Sequence, residues 1–221
     1  VRISTYAVIL THNRHELLKQ SVAAISPQVN HLWVIDNASN PPVSVDPRYT
    51  LLSDSRQPPN LAELWNFALD EITKRALEWS KEAWNVALLC DDAVVYPSWA
   101  DTVADEMRRW DAHAASAHAY VPLDVSIRKI DPDSDLHNRM CGWAFMLRGE
   151  SGLRADERFH WWWCDTDLDW QARMRGGTVI ARGPVVPNTL PNDFTVNYPG
   201  LNDRAGQDGL EFTAKWGWRP W

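Results

Sequence analysis

The chain is short of several things that would each have assigned it to a class. Cysteine is scarce: Cys90, Cys141 and Cys164 are the only three in 221 residues. They are too few and too far apart for a disulfide framework, and no Cys-x-x-Cys pair is present to hold zinc. Long apolar runs are missing too: Tyr6 to Leu10 and Trp143 to Leu147 reach about five residues against the ~20 of a membrane helix, so no membrane span is expected. Positive charge is in the minority, with 22 Lys and Arg against 29 Asp and Glu and a formal net charge of -7. That balance argues against a surface built to neutralise nucleic-acid phosphates or to dock on anionic lipid, and nucleic acid is not an expected partner. No Gly-x-Gly-x-x-Gly, no Gly-x-x-x-x-Gly-Lys-[Ser/Thr] and no Gly-x-Ser-x-Gly occurs, which removes the dinucleotide fingerprint, the P-loop and the nucleophile elbow. Val1-Arg2-Ile3 leads straight into strand-like sequence with no signal peptide, and the expectation is a cytoplasmic protein with reduced thiols.

What is abundant is tryptophan, 14 residues against only 10 glycines, more than the packing of one core requires. Tyr6-Ala7-Val8-Ile9-Leu10 predicts a strand buried on both faces, and Leu17, Leu18, Val22 and Ile25 predict a helix after it. His31 to Asp36 predicts a second strand, which makes the opening βαβ unit of a doubly wound sheet. A helix is predicted from Leu61 to Trp79 and a buried strand from Asn85 to Cys90. Beyond them come a helix from Asp101 to Trp110, strands from Ser116 to Pro122, Val125 to Ile130 and Gly142 to Leu147, a helix from Thr166 to Arg175, and a short strand from Thr178 to Ala181. The tail from Pro184, rich in Pro, Asn, Gly and Asp, reads as an extended wrap or lid. With no repeat and no linker, the expectation is one domain over 1–221, made of a nucleotide-binding half (1–97), an acceptor-binding half (98–183) and the wrap (184–221).

Three predicted strands end in polar residues at one edge: Thr11-His12-Asn13-Arg14, Asp36-Asn37 and Asp91-Asp92. In open parallel sheets that edge is where ligands bind. Asp36 reads equally as a turn residue. Asp91 and Asp92 repel each other unless a cation or donors sit between them, and a hard ion such as Mg or Mn would suit. Asp165-x-Asp167-x-Asp169 reads either as first-turn helix electrostatics or, below Trp161-Trp162-Trp163, as a ring-lined carboxylate tuned for general-base work. A zinc site from His137, Cys141, His160 and Cys164 has no specific spacing. Arg173-x-Arg175 reads as a solvated helix end.

Four segments in order resemble the inverting GT-A glycosyltransferases of the family 2 type: Ala7 to Arg14, Val34-Ile35-Asp36-Asn37-Ala38-Ser39, Leu88 to Val95 with Pro97-Ser98-Trp99, and Trp163 to Trp170 with Arg173 and Gly177. The resemblance implies an α/β fold with a Rossmann-like, mostly parallel central sheet flanked by helices. It implies transfer of a sugar from a nucleotide-diphospho donor to a glycan, protein or other hydroxyl acceptor, assisted by a divalent ion, Mn or Mg. Thr11 and Arg14 would then lie along the nucleotide and Asp36 would meet its base or ribose. Asp91 would touch ribose or sugar, Asp92 would ligate the ion, and Asp165 would be the base. Trp143, Trp162, Trp163 and Asp167 would face the acceptor. The sequence departs from the family at Cys90 and Cys164, and it has no histidine after His160 to ligate the ion; Asn188, Asn192 and Asp193 are the candidates left. Trp33 and Trp65 are expected in the core, and Trp216, Trp218 and Trp221 as a latch or an acceptor surface. The competing reading is a non-catalytic carbohydrate-binding protein with a tryptophan stacking platform.

Overall fold

The structure is a computed structural model that describes residues 3–79, 83–135, 137–187 and 200–218. Eight strands form one sheet: β1 (Ser4–Thr11), β2 (His31–Asn37), β3 (Thr50–Asp54), β4 (Trp84–Cys90), β5 (Ala114–Ala117), β6 (Ile127–Lys129), β7 (Ala144–Arg148) and β8 (Thr178–Ala181). Their order is β3-β2-β1-β4-β7-β5-β8-β6. Strands β3, β2, β1 and β4 are mutually parallel, while β7 runs antiparallel between β4 and β5. The helices are α1 (His15–Ile25), α2 (Leu61–Trp79), α3 (Trp99–Arg109), α4 (Cys164–Arg175) and α5 (Leu201–Trp216).

Alternation along the strands sets the layers. Tyr6, Val8, Trp33, Ile35, Phe145 and Leu147 face α2, α4 and α5, where Leu64, Trp65, Leu168, Trp170 and Phe212 meet them. Ala7, Ile9, Leu32, Val34 and Met146 face the other way, onto Leu18 and Ile25 of α1 and Val103 and Met107 of α3. Trp33 and Trp65 are core residues as expected, each 2% exposed.

Three departures have local causes. Strand β3 was not visible as an apolar run because it is a half-exposed edge strand, with Leu51 facing out. Strand β5 stops at Ala117 rather than Pro122 because the next residue turns the chain: Nδ1 of His118 accepts the N–H groups of Tyr120 and Val121, both at 3.0 Å. The tail read as extended contains helix α5. Gly206, Gly209 and the flanking Asn and Asp residues disguise it, since an interior glycine costs about 1 kcal/mol relative to alanine. Packing overrides that cost: Phe212 is fully buried against Trp163 and Trp170, with ring centroids 5.0 and 4.8 Å away. Trp221 and residues 188–199 lie outside the described residues.

Candidate active site

The chain leaves β1, builds β2 and β3 on one side, and returns to the other side of β1 as β4. The ends of β1 and β4 therefore meet where strand order reverses. There Thr11 donates its hydroxyl to Oδ2 of Asp91 at 2.9 Å. Arg14, just ahead of α1, reaches Oδ1 of Asp91 at 3.1 Å and Oδ2 of Asp92 at 3.3 Å. Burial pushes the Asp91 carboxyl up to about 6, opposed by the Arg14 charge and the Thr11 hydrogen bond and reinforced by Asp92. Burial raises Asp92 as well, again against Arg14. Arg14 thus sits between two carboxylates whose burial disfavours their charge.

The neighbouring loops are laced to it. Asn13 is left-handed at φ 57°, its N–H donates to Oγ of Ser39 at 2.8 Å, and its Oδ1 accepts from the Asn40 N–H at 2.6 Å. Asp36 is 4% exposed, and its carboxylate accepts the N–H groups of Ser39 at 3.1 Å and Val43 at 3.0 Å. In this geometry Asp36 shapes the loop after β2.

The reversed strand β7 brings the second acidic group to the same edge. Because it runs antiparallel to β4, its entry rather than its exit lies beside Cys90, whose N–H donates to the Trp143 carbonyl at 2.9 Å. Cys141 is tied to β5 by its N–H on Oγ of Ser116 at 2.9 Å. Gly142 turns its Cα directly toward the Asp165 carboxylate, with no room for a side chain between. Residues 141–143 are thus a seam with Asp91 and Asp92 on one side and Asp165 on the other. The Cys141 thiol, buried in the seam, is pushed up to about 12, chiefly by burial and further by the Asp165 charge. Burial likewise raises Cys90 and Cys164, so all three thiols stay protonated.

The remaining expected residues separate. Trp162 is 42% exposed beside Asp165, whereas Trp163 is 9% exposed and packs on Phe212. The Trp143 indole donates to the Val186 carbonyl at 2.9 Å and meets Tyr120 edge-on. Asp167, expected to face the acceptor, is fully buried. Its oxygens accept from Nε2 of Gln171 at 2.7 Å and Nε1 of Trp216 at 2.9 Å, and pair with Nζ of Lys215 at 2.6 Å. Its surroundings give it the task of docking α5. Trp216 and Trp218 both lie on Trp170, as a latch would. Arg173, read as solvated, is 2% exposed and bound to Asp169 at 2.7 Å and Asp133 at 3.1 Å. It also donates to the carbonyls of Asp131 and Asn138, fixing the loop before Cys141. Among the described residues no group of three or more His, Cys, Asp or Glu side chains is placed to hold a metal. Asn188, Asn192 and Asp193 lie outside the described residues.

No protein-family model and no curated protein matches the chain. Solved structures do. The mannosyltransferase PcManGT from Pyrobaculum calidifontis, in complex with GDP-Man and Mn2+, aligns over 100% of this chain and 66% of its own, at TM-score 0.63 and 13% identity. S. aureus TarS aligns over 96% of this chain and 40% of its own, at TM-score 0.59 and 8% identity. TarS in complex with UDP-GlcNAc aligns over 96% of this chain and 67% of its own, at TM-score 0.57 and 8% identity. At such identities the likeness is one of fold, and the fold is the α/β GT-A arrangement expected from the sequence. No helix among the described residues is long and apolar enough to cross a membrane.

Proposed function

We propose that the chain transfers a sugar from a nucleotide-diphospho donor to an acceptor hydroxyl, with inversion, in the manner of family 2 enzymes. The observation that carries this is the meeting of Thr11, Arg14, Asp91 and Asp92 at the reversal of strand order, with Asp165 across the 141–143 seam. Support comes from the fold, which is shared with a mannosyltransferase in complex with GDP-Man and Mn2+ and with TarS in complex with UDP-GlcNAc.

Asp165 takes the proton of the acceptor hydroxyl; the freed oxygen attacks the anomeric carbon, the new glycosidic bond forms, and the bond to the diphosphate breaks with its electron pair. Arg14 and Thr11 lie along the leaving nucleotide, and Asp91 turns toward ribose or sugar. Asp36 holds the loop that borders the base. The exposed Trp162 ring is the face left to orient the acceptor.

The residues present fit a divalent ion. Asp91 and Asp92 offer hard oxygens at a site where burial already disfavours uncompensated negative charge, and Asp92 would be the protein ligand. When bound, the ion neutralises the charge that grows on the departing diphosphate. A carbohydrate-binding platform is less well supported, since Trp143, Trp163, Trp216 and Trp218 are engaged in packing.

The test is a thermal-shift and turnover panel of nucleotide-diphospho sugars with and without MnCl2. One donor should raise the melting temperature, more so with manganese, and Asp165→Asn should abolish nucleoside diphosphate release while keeping that shift. A fully active Asp165→Asn would remove the base assignment, and a panel without any shift would remove the donor.

A further inference from the structure

Helix α4 carries Asp165 in its first turn, yet its own sequence does not fix where it starts. The residue before it, Trp163, is left-handed at φ 70°, and its indole makes no capping hydrogen bond. A non-glycine residue there costs about 1–2 kcal/mol, and an N-terminus without a cap needs its direction set by something outside the helix. A carboxylate from much later in the chain supplies that restraint. Asp208 of α5 is fully buried; its Oδ1 accepts the His160 N–H at 3.0 Å, and its Oδ2 accepts those of Trp161 at 2.7 Å and Trp162 at 2.8 Å. Three successive N–H groups closing on one anion form a nest, and bonds to an ionised acceptor are the stronger kind. The His160 carbonyl in turn accepts the Leu61 N–H at 2.7 Å, tying the same residues to the start of α2.

We propose that Asp208 is a positioning residue for Asp165. Its carboxylate sets residues 160–162, these set the entry of α4, and α4 holds the Asp165 carboxylate against Gly142. The inference rests on the base assignment above. Asp208 acts through the loop: three backbone N–H groups close on its oxygens, and Arg204 of the same helix pairs with Oδ1 at 3.9 Å. The Thr11, Arg14, Asp91 and Asp92 cluster lies on the other side of the seam, so donor binding and base placement are separable.

The test compares the full chain with Asp208→Asn, Asp208→Glu and Asp165→Asn, using GDP-mannose and UDP-GlcNAc with MnCl2 as probes. Asp208→Asn is expected to lower kcat by about tenfold or more while donor KM stays within about twofold, because geometry at the reacting atoms is lost and donor contacts are not. Amide exchange at residues 160–162 should quicken while α5 stays protected. Asp208→Glu, which keeps the charge one methylene further out, should recover part of both. Unchanged kcat and exchange in Asp208→Asn overturn the proposal; so does a joint change in kcat, KM and α5 protection, which would mean general loss of packing. A fully active Asp165→Asn rejects the base assignment whatever Asp208 does, and an inactive Asp165→Asn beside an unaltered Asp208→Asn rejects positioning alone. If the wild-type chain turns over neither donor, the exchange measurement alone decides whether Asp208 sets the loop.

Discussion

A Cβ on residue 142 would lie 2.1 Å from Oδ2 of Asp165, so the carboxylate occupies the space that any side chain at Gly142 would need. Gly142→Ala should therefore displace Asp165 without touching Asp91 or Asp92. Overpacking of this kind costs about 1–3 kcal/mol. The expected result is a modest fall in melting temperature, donor-induced thermal shift retained, and turnover reduced by about tenfold or more. A variant with wild-type turnover would show that Asp165 can move freely.

Arg14 is the cation between two buried acids, and its loss should depend on pH. The Asp91 carboxyl sits at about 6 in the fold against 3.8 outside it. The folded state thus holds that proton more tightly, and this group's contribution to stability falls as pH rises through that interval. Arg14→Met removes the charge that limits the upward shift. It should cost about 2 kcal/mol at pH 8, below the ~3–5 kcal/mol of a fully buried pair because Arg14 is partly exposed, and clearly less near pH 4.5. Denaturant midpoints at the two pH values check this; an equal loss at both would contradict it.

The Asp169 and Arg173 pair is enclosed, with side chains 1% and 0% exposed. Arg173→Met strands the Asp169 carboxylate and the carbonyls of Asp131 and Asn138, at a cost of about 3–5 kcal/mol. For a chain of this size that corresponds to a melting temperature lower by roughly 10 °C. Calorimetry measures it directly. A drop of only a degree or two would mean that the loop before Cys141 is held by other contacts.

Trp216 contributes both a ring and a hydrogen bond. Trp216→Phe keeps most of the edge-on ring contact with Trp170 but loses the N–H to Asp167, and should cost about 1 kcal/mol. Trp216→Ala loses both and should cost about 3 kcal/mol. Urea denaturation of the two variants separates the terms; equal losses would mean that the hydrogen bond carries all of the stabilisation.

Three of the four parallel strands could be read directly because β1, β2 and β4 are buried on both faces and spell continuous apolar runs. The span of α2 was legible to the residue, since its apolar spacing is unbroken between Pro59 and Trp79. The Thr11, Arg14, Asp91 and Asp92 grouping was likewise predictable, as each lies at or just past a strand end. Edge strand β3 was not, because half its residues face solvent. Arg173 was read as solvated and Asp167 was placed at the acceptor by the family resemblance; neither reading could anticipate Asp133, Lys215 and Trp216, partners distant in sequence. Asp208 gave no signal, since the contacts that matter at residues 160–162 are to backbone N–H groups.

That last contact also imposes an order of assembly. Synthesis runs from β1 toward α5, so all eight strands leave the ribosome before residue 208 does. During that interval the N–H groups of residues 160–162 lack the Asp208 carboxylate, and the segment leading to Asp165 has only its tie to the start of α2. The nascent sheet can complete its hydrogen-bond ladders while the proposed chemistry remains unassembled. Competence arrives with one late helix, as a separate step from the folding of the scaffold.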